Sequence, residues 1–353
     1  MTGGWQERVG AIAEQIVGSK TPGLAVAVAR EERPPDYFVT GADAQGQPLT
    51  VDTLFPVASI TKLAATLAVL RLVADGSLAL DDLLAVHLPE AASVQGATQE
   101  GVTLRAILCH TGGLPVDLDP AAAPYTPDLN WSLLGRACLA TPLADPPRSR
   151  VHYGNVGFGL LRIVIERVTG QRFPLVLQEQ VLGPLGIEGY FASEPPRRPA
   201  YLDVSYSAQA GTAIEPYNSP FWRGLGLPWA GLITTLGGAL ALARAFGGLP
   251  AGYLPPDLLA EARCDQTGGV RGNLMFMRWP RCAWGLGVEL HGDKSPHFTP
   301  RTASPRTFGH VGSSGCLAYV DPDAGIAWAL HGVRRFDAWW QSWPEIGAAV
   351  LPA

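Results

Sequence analysis

A chain of 353 residues, 47% apolar and 16% charged, is too apolar to be disordered and long enough for one large or two interleaved cores. Its formal net charge of −5 and the absence of any block of like charge leave no footprint for nucleic acid, since Arg197-Arg198 and Arg334-Arg335 are isolated pairs. The five cysteines (Cys109, Cys138, Cys264, Cys282, Cys316) form no Cys-x-x-Cys pair, so no zinc cluster or redox motif is indicated and buried thiols are expected.

The first element in chain order is an amphipathic helix with Val9, Ile12, Ile16 and Val17 on one face. Glu7 and Arg8 interrupt what a secretory signal would need as an apolar core, and a cytoplasmic location is the expectation. Gly23–Arg30 reads as a buried strand, paired across the EERPPD turn with a second near Tyr37–Thr40. Thr53–Ala58 then approaches a helix from Ile60 to about Ala74, closed by Asp75-Gly76. Thr103–Cys109, with Thr103 as cap, Trp131–Ala140 and Val156–Thr169, ending at Gly170, are further helices. Between Gly186 and Leu227 lies a long Pro-, Gly- and aromatic-rich segment of the kind that walls or covers a site. Residues 224–243 carry no charge, but Pro228 and Thr234-Thr235 break the run, so a loop leading into a buried helix is expected there and no membrane span. Ala283–Leu290, Gly315–Val320 and Gly325–Leu330 read as strands, and Ala338–Leu351 as a closing helix. The order of elements implies an α/β (α+β) fold: an antiparallel sheet built from both ends of the chain, flanked by terminal helices. The expected division is a split sheet domain, residues 1–62 and 225–353, around a mainly helical insertion, residues 63–224.

Three short motifs carry chemistry. Ser59-Ile60-Thr61-Lys62 stands where a strand-like run meets a helix; a serine there has a free backbone N–H to offer an oxyanion. Lys62, three residues on, shares the helix face and reaches the Ser59 hydroxyl, and partial burial would lower its pKa so that it accepts a proton. Tyr153-Gly154-Asn155 precedes the helix from Val156; a tyrosine beside a lysine ammonium has its phenolate favoured and is a candidate general base, while Asn155 has an amide for a substrate carbonyl and for Lys62. His310-Val311-Gly312-Ser313 precedes a strand, with Gly312 permitting close approach and the Ser313 N–H as a second oxyanion donor. His110-Thr111-Gly112 repeats the pattern but follows a helix and reads as a helix-end turn. No Gly-Lys dipeptide, His-Glu-x-x-His or Gly-x-Ser-x-Gly is present, so Walker A, zincin and α/β-hydrolase readings fail.

Taken together, FPVASITK, ILCHTGGLP, YGNVGFGLL, PWAGLITT, WGLGVEL and FGHVGSSG resemble segments of the class C β-lactamases and their relatives, the low-molecular-weight D-Ala-D-Ala peptidases and family VIII carboxylesterases. The resemblance implies the β-lactamase/transpeptidase-like fold, with Ser59 as the acylated nucleophile and Lys62 and Tyr153 as the proton-transfer pair. It also implies Asn155 as a substrate contact, His310 and Gly312 as the third motif, and the Ser59 and Ser313 amides as the oxyanion hole. No cofactor or metal is called for, and the partner is a small ester, amide or β-lactam. Small esters acted on by a carboxylesterase rank first, with D-amino-acid peptides (a D-Ala-D-Ala carboxypeptidase or D-aminopeptidase) and then β-lactams as alternatives, and a silent penicillin-binding scaffold last. Many β-lactamases have Lys-Thr-Gly where this chain has His310, and a lysine there would favour substrates with a free carboxylate. Tyr217, Phe221, Trp222 and Trp229 are candidates for the wall of an acyl pocket.

Overall fold

The computed structural model describes residues 4–94 and 101–352. Its first helix, α1 (Trp5–Ile16), buries Trp5, Val9, Ile12, Ala13 and Ile16, the face that the apolar spacing marks out. Strands β1 (Gly23–Arg30) and β2 (Asp36–Gly41) follow as an antiparallel pair. After the short strand β3 (Leu54–Pro56) and a single 3₁₀ turn at Ala58–Ile60 comes α2 (Thr61–Ala74). Every α2 residue from Thr61 to Leu70 is buried, which makes α2 the central helix of the molecule.

The middle of the chain is helical: α3 (Leu84–His87), α4 (Leu104–Leu108), α5 (Trp131–Ala140), α6 (Val156–Thr169) and α7 (Phe173–Leu177), with the two-residue strand β4 (Val151–His152) among them; α6 and α7 pack on α2, and α3, α4 and α5 pack on α6. Caps fall where the sequence places them. The Thr103 hydroxyl accepts from the Ala106 N–H, and Gly170 ends α6 in the left-handed conformation. The long segment expected as a loop holds strand β5 (Gly189–Phe191) and helix α8 (Pro220–Gly224). The charge-free run becomes a loop, strand β6 (Leu232–Thr235) and helix α9 (Leu236–Phe246), capped by the Thr235 hydroxyl. No helix among the described residues is long and apolar enough to cross a membrane.

Helix α10 (Pro256–Ala262), the hairpin β7 (Gly272–Leu274) and β8 (Met277–Trp279), then β9 (Glu289–Leu290), β10 (Phe308–Gly312), β11 (Cys316–Asp321), β12 (Ile326–Gly332) and α11 (Trp343–Val350) complete the chain. Ala283–Leu290 contributes only β9, because the chain turns back on itself there: Gly287 sits at φ 71°, and the Gly285 N–H donates to the Val288 carbonyl. Likewise the closing helix begins at Trp343, two 3₁₀ turns having absorbed the residues before it.

The main sheet is antiparallel in the order β2-β1-β12-β11-β10-β9, so it is drawn from both ends of the chain. Its two faces differ. Leu24, Val26 and Val28 of β1 and Trp328 and Leu330 of β12 point toward α1 and α11, whereas Ala25, Ala27, Ala29, Ala327 and Ala329 point the other way. The alanine face lets α9, itself rich in Gly and Ala, lie close against the strands. A smaller sheet, β3-β6-β5, links the segment leading to Ser59 with the chain entering α9.

Candidate active site

The turn between β3 and α2 holds Ser59. It is fixed from two sides: the Val57 N–H donates to the Leu232 carbonyl, and the Thr61 hydroxyl accepts from the Leu232 N–H. Ala58, immediately before Ser59, has φ 44°, a conformation that costs a non-glycine residue free energy and is held here by its surroundings. Gly312 of β10 passes so close that a Cβ on it would lie 2.5 Å from the Val57 carbonyl oxygen. The third motif therefore lies directly beside the Ser59 turn.

Lys62 reaches back along the first turn of α2 to place Nζ 3.2 Å from Ser59 Oγ. The same amine is 3.0 Å from the Tyr153 hydroxyl, 2.8 Å from Asn155 Oδ1 and 3.4 Å from the Trp229 carbonyl. Lys62 is fully buried, and this desolvation pushes its pKa from 10.5 down to about 7, against an opposing pull from Asp117. The contrast with Lys294 is instructive, because that buried lysine pairs directly with the Glu289 carboxylate. Among the described residues Lys62 touches no carboxylate; Asp117 is reached through Asn155, whose Nδ2 donates to Asp117 Oδ1.

Tyr153 and Asn155 sit on the link between β4 and α6. Gly154 between them is packed so that a Cβ would come within 2.8 Å of the Val116 Cα and carbonyl oxygen. That contact, with the Asn155 N–H donating to the Val116 carbonyl at 2.6 Å, docks the motif against the loop after α4. Burial raises the Tyr153 pKa, opposed by a hydrogen bond with Ser59. Near neutrality the side chain is thus a phenol; the phenolate expected from the sequence would need a charged lysine, and burial leaves Lys62 largely neutral above about pH 7.

His310 is fully buried behind this group, its ring 5.7 Å from the Tyr153 ring and 5.8 Å from Trp284. Nδ1 lies 2.7 Å from the Val311 carbonyl oxygen, so it carries the proton. Burial and the nearby Lys62 push the His310 pKa down to about 3, and the imidazole is neutral. Such a ring supports the tyrosine from behind and has no surface toward the mouth of the site.

Sequence reasoning set aside His110. Its backbone does end α4, at φ 58°, yet its ring packs 4.7 Å from Tyr153 and its Nδ1 accepts from the Gly154 N–H. Only the fold joins the two segments, so no local pattern could have revealed it. The N–H groups of Ser59 and Ser313 enter no backbone hydrogen bond among the described residues and are free for an oxyanion. The Tyr217 hydroxyl lies 2.9 Å from Ser313 Oγ, while Trp222 packs against the Tyr217 ring and Phe221 against Tyr125. Trp229 meets the site through its backbone carbonyl.

A buried amine within hydrogen-bond reach of a serine hydroxyl, a phenol and a carboxamide is an arrangement chemically suited to acyl transfer through serine. The family model for beta-lactamase matches residues 9–334. Esterase EstB of Burkholderia gladioli is 31% identical over 80% of this chain and 78% of its own. A putative D-alanyl-D-alanine carboxypeptidase of Escherichia coli K12 is 28% identical over 77% of this chain and 67% of its own. The crystal structure of a beta-lactamase from Mycobacterium bovis superposes with a TM-score of 0.65 at 26% identity, covering 96% of this chain and 97% of that one. The protein belongs to the beta-lactamase family, a family of serine hydrolases.

Proposed function

We propose that this protein is a serine hydrolase working through a Ser59 acyl-enzyme, and that small carboxylic esters are its substrates. The observation that carries the reading is the Lys62 amine, buried, at a pKa of about 7, and within reach of both Ser59 Oγ and the Tyr153 hydroxyl. Neutral Lys62 takes the Ser59 proton as Oγ attacks the substrate carbonyl, and the resulting oxyanion is held by the Ser59 and Ser313 N–H groups. Tyr153 gives its proton to the leaving oxygen and regains one from the Lys62 ammonium. Water, deprotonated along the same path, then cleaves the acyl-enzyme to the free acid and Ser59. Asn155 holds Lys62 through Oδ1, and its Nδ2 has a second hydrogen for the acyl group.

The preference for esters rests on the third motif. Because His310 is neutral and covered, residue 310 supplies no cation to hold the carboxylate of a β-lactam or a C-terminal peptide. The test is a parallel assay of a short-chain aryl ester, a D-Ala-D-Ala peptide and nitrocefin with the native protein and Ser59→Ala. Ester turnover that disappears in the variant is expected. Ester turnover that survives it refutes the mechanism, and strong peptide turnover without ester turnover refutes the substrate assignment.

A further inference from the structure

Asp117 lies outside the three motifs, yet it is built into the site. The close contact of Gly154 with Val116 and the Asn155 N–H bond to the Val116 carbonyl bring the loop after α4 against the Tyr153–Asn155 link. The Asp117 carboxylate thereby accepts from Asn155 Nδ2 while remaining exposed to solvent, and its charge acts on both Lys62 and Tyr153. None of the ion pairs among the described residues includes it.

Holding Asn155 does not explain a charge at this position. An asparagine or serine at residue 117 would accept the same hydrogen bond. The carboxylate moreover raises the Lys62 pKa, which works against a base that must be neutral. What a neutral residue cannot do is attract a cation to the amide that faces the acyl group. Resting on the hydrolase reading above, we propose that Asp117 selects acyl groups bearing a protonated amine next to the scissile carbonyl, so that the preferred substrates are esters or amides of amino acids with a free ammonium group. The ammonium donates to the exposed carboxylate while the carbonyl oxygen occupies the Ser59 and Ser313 amides.

The test uses three phenyl esters, of alanine, isobutyric acid and N-acetylalanine, at pH 6.5. Alanine and isobutyrate differ only by an ammonium in place of a methyl group, and acetylation removes the charge while keeping the nitrogen. Each kcat/KM is divided by the rate of spontaneous hydrolysis of the same ester, since the ammonium itself activates the carbonyl. The native protein is expected to favour the alanyl ester about tenfold over both others, the size of a charge-assisted contact reduced by solvent exposure. Asp117→Asn keeps the acceptor for Asn155 and should bring the ratio close to one. A native ratio at or below one overturns the proposal without recourse to any variant, and so does an unchanged ratio in Asp117→Asn. Absence of Ser59-dependent turnover of all three esters refutes the hydrolase reading; turnover of the isobutyryl ester without preference for the alanyl ester refutes only the role of Asp117.

Discussion

Replacing Lys62 by methionine, which fills nearly the same volume without an amine, tests the electrostatic core of the site. The fall of the Lys62 pKa from 10.5 to about 7 on folding corresponds, at about 1.4 kcal/mol for each pH unit, to about 5 kcal/mol of stability. The sign follows from proton counting. Between about pH 7 and 10.5 the unfolded chain holds a proton that the folded one has released, so native stability climbs with pH across that window. Below about pH 7 both states are charged and the full penalty is present. In Lys62→Met this dependence vanishes, so the variant gains most over the native protein near pH 6, and its advantage shrinks by about 1.4 kcal/mol per pH unit above 7. Loss of the contacts to Tyr153 and Asn155 adds an offset that does not vary in this range. Urea denaturation of both proteins at intervals from pH 6 to 10 measures the difference. Parallel stability curves would refute the depressed pKa, and with it the assignment of Lys62 as the base. The native kcat/KM for an aryl ester must correspondingly rise through an acid limb near pH 7, and a flat profile from pH 6 to 8 would contradict the same argument.

Ser59→Ala should lower ester turnover by more than about a thousandfold, and Tyr153→Phe by about a hundred- to ten-thousandfold, with Tm little changed in thermal melts. In His310→Lys a second amine would be buried beside Lys62; the acid limb should move below pH 7 and stability at pH 6 should fall by a few kcal/mol, with no gain on anionic substrates. An unshifted limb with new activity on a carboxylated cephalosporin would mean that residue 310 faces the substrate. Gly154→Ala forces a Cβ against Val116 and should cost about 1–3 kcal/mol in denaturant melts while lowering kcat, because Tyr153 and Asn155 move with it. Unaltered kcat would show that the docking of this link does not set the catalytic geometry.

The sequence made the regular elements legible where side-chain period and punctuation agree. Gly23–Arg30 and Val156–Thr169 match β1 and α6 residue for residue, the second because Gly170 supplies the left-handed end that the helix needs. Ala283–Leu290 misled, since an apolar run looks the same whether it forms a strand or a hairpin turn; Gly285 and Gly287 were the signal within it. For the site, Ser59 and Lys62 are three residues apart on a helix and could be paired from spacing alone, whereas Tyr153 lies 91 residues from Lys62 and needed the family likeness to join them. Asp117, His110 and the bond between Tyr217 and Ser313 were illegible because each is a loop residue whose partner lies in another segment. Burial was the other hidden quantity. A histidine at residue 310 could be read as a substrate contact, and only its full burial, with Tyr153 and Trp284 packed around it, shows that it faces inward.

Depth then orders the ionisation of the whole group. The same exclusion of water that leaves Lys62 neutral also holds His110 and His310 neutral, and Lys62 adds to the depression of both imidazoles. Above about pH 7 the interior beneath Ser59 therefore carries little charge, although it contains four titratable rings and amines. In the proposed mechanism, transfer of the Ser59 proton puts a positive charge on Lys62 and a negative one on the substrate oxygen, so the two arise together and a few ångströms apart. An uncharged Lys62 is what makes that step possible, and the neutral imidazoles leave nothing nearby to repel the ammonium it becomes. Asp117, the one formal charge acting on Lys62 from outside, lies on the exposed side, where it stabilises the same ammonium. A cationic substrate seated on Asp117 would offset that effect and return Lys62 toward its neutral form, so binding of the preferred acyl group would itself favour the basic state of the catalytic amine.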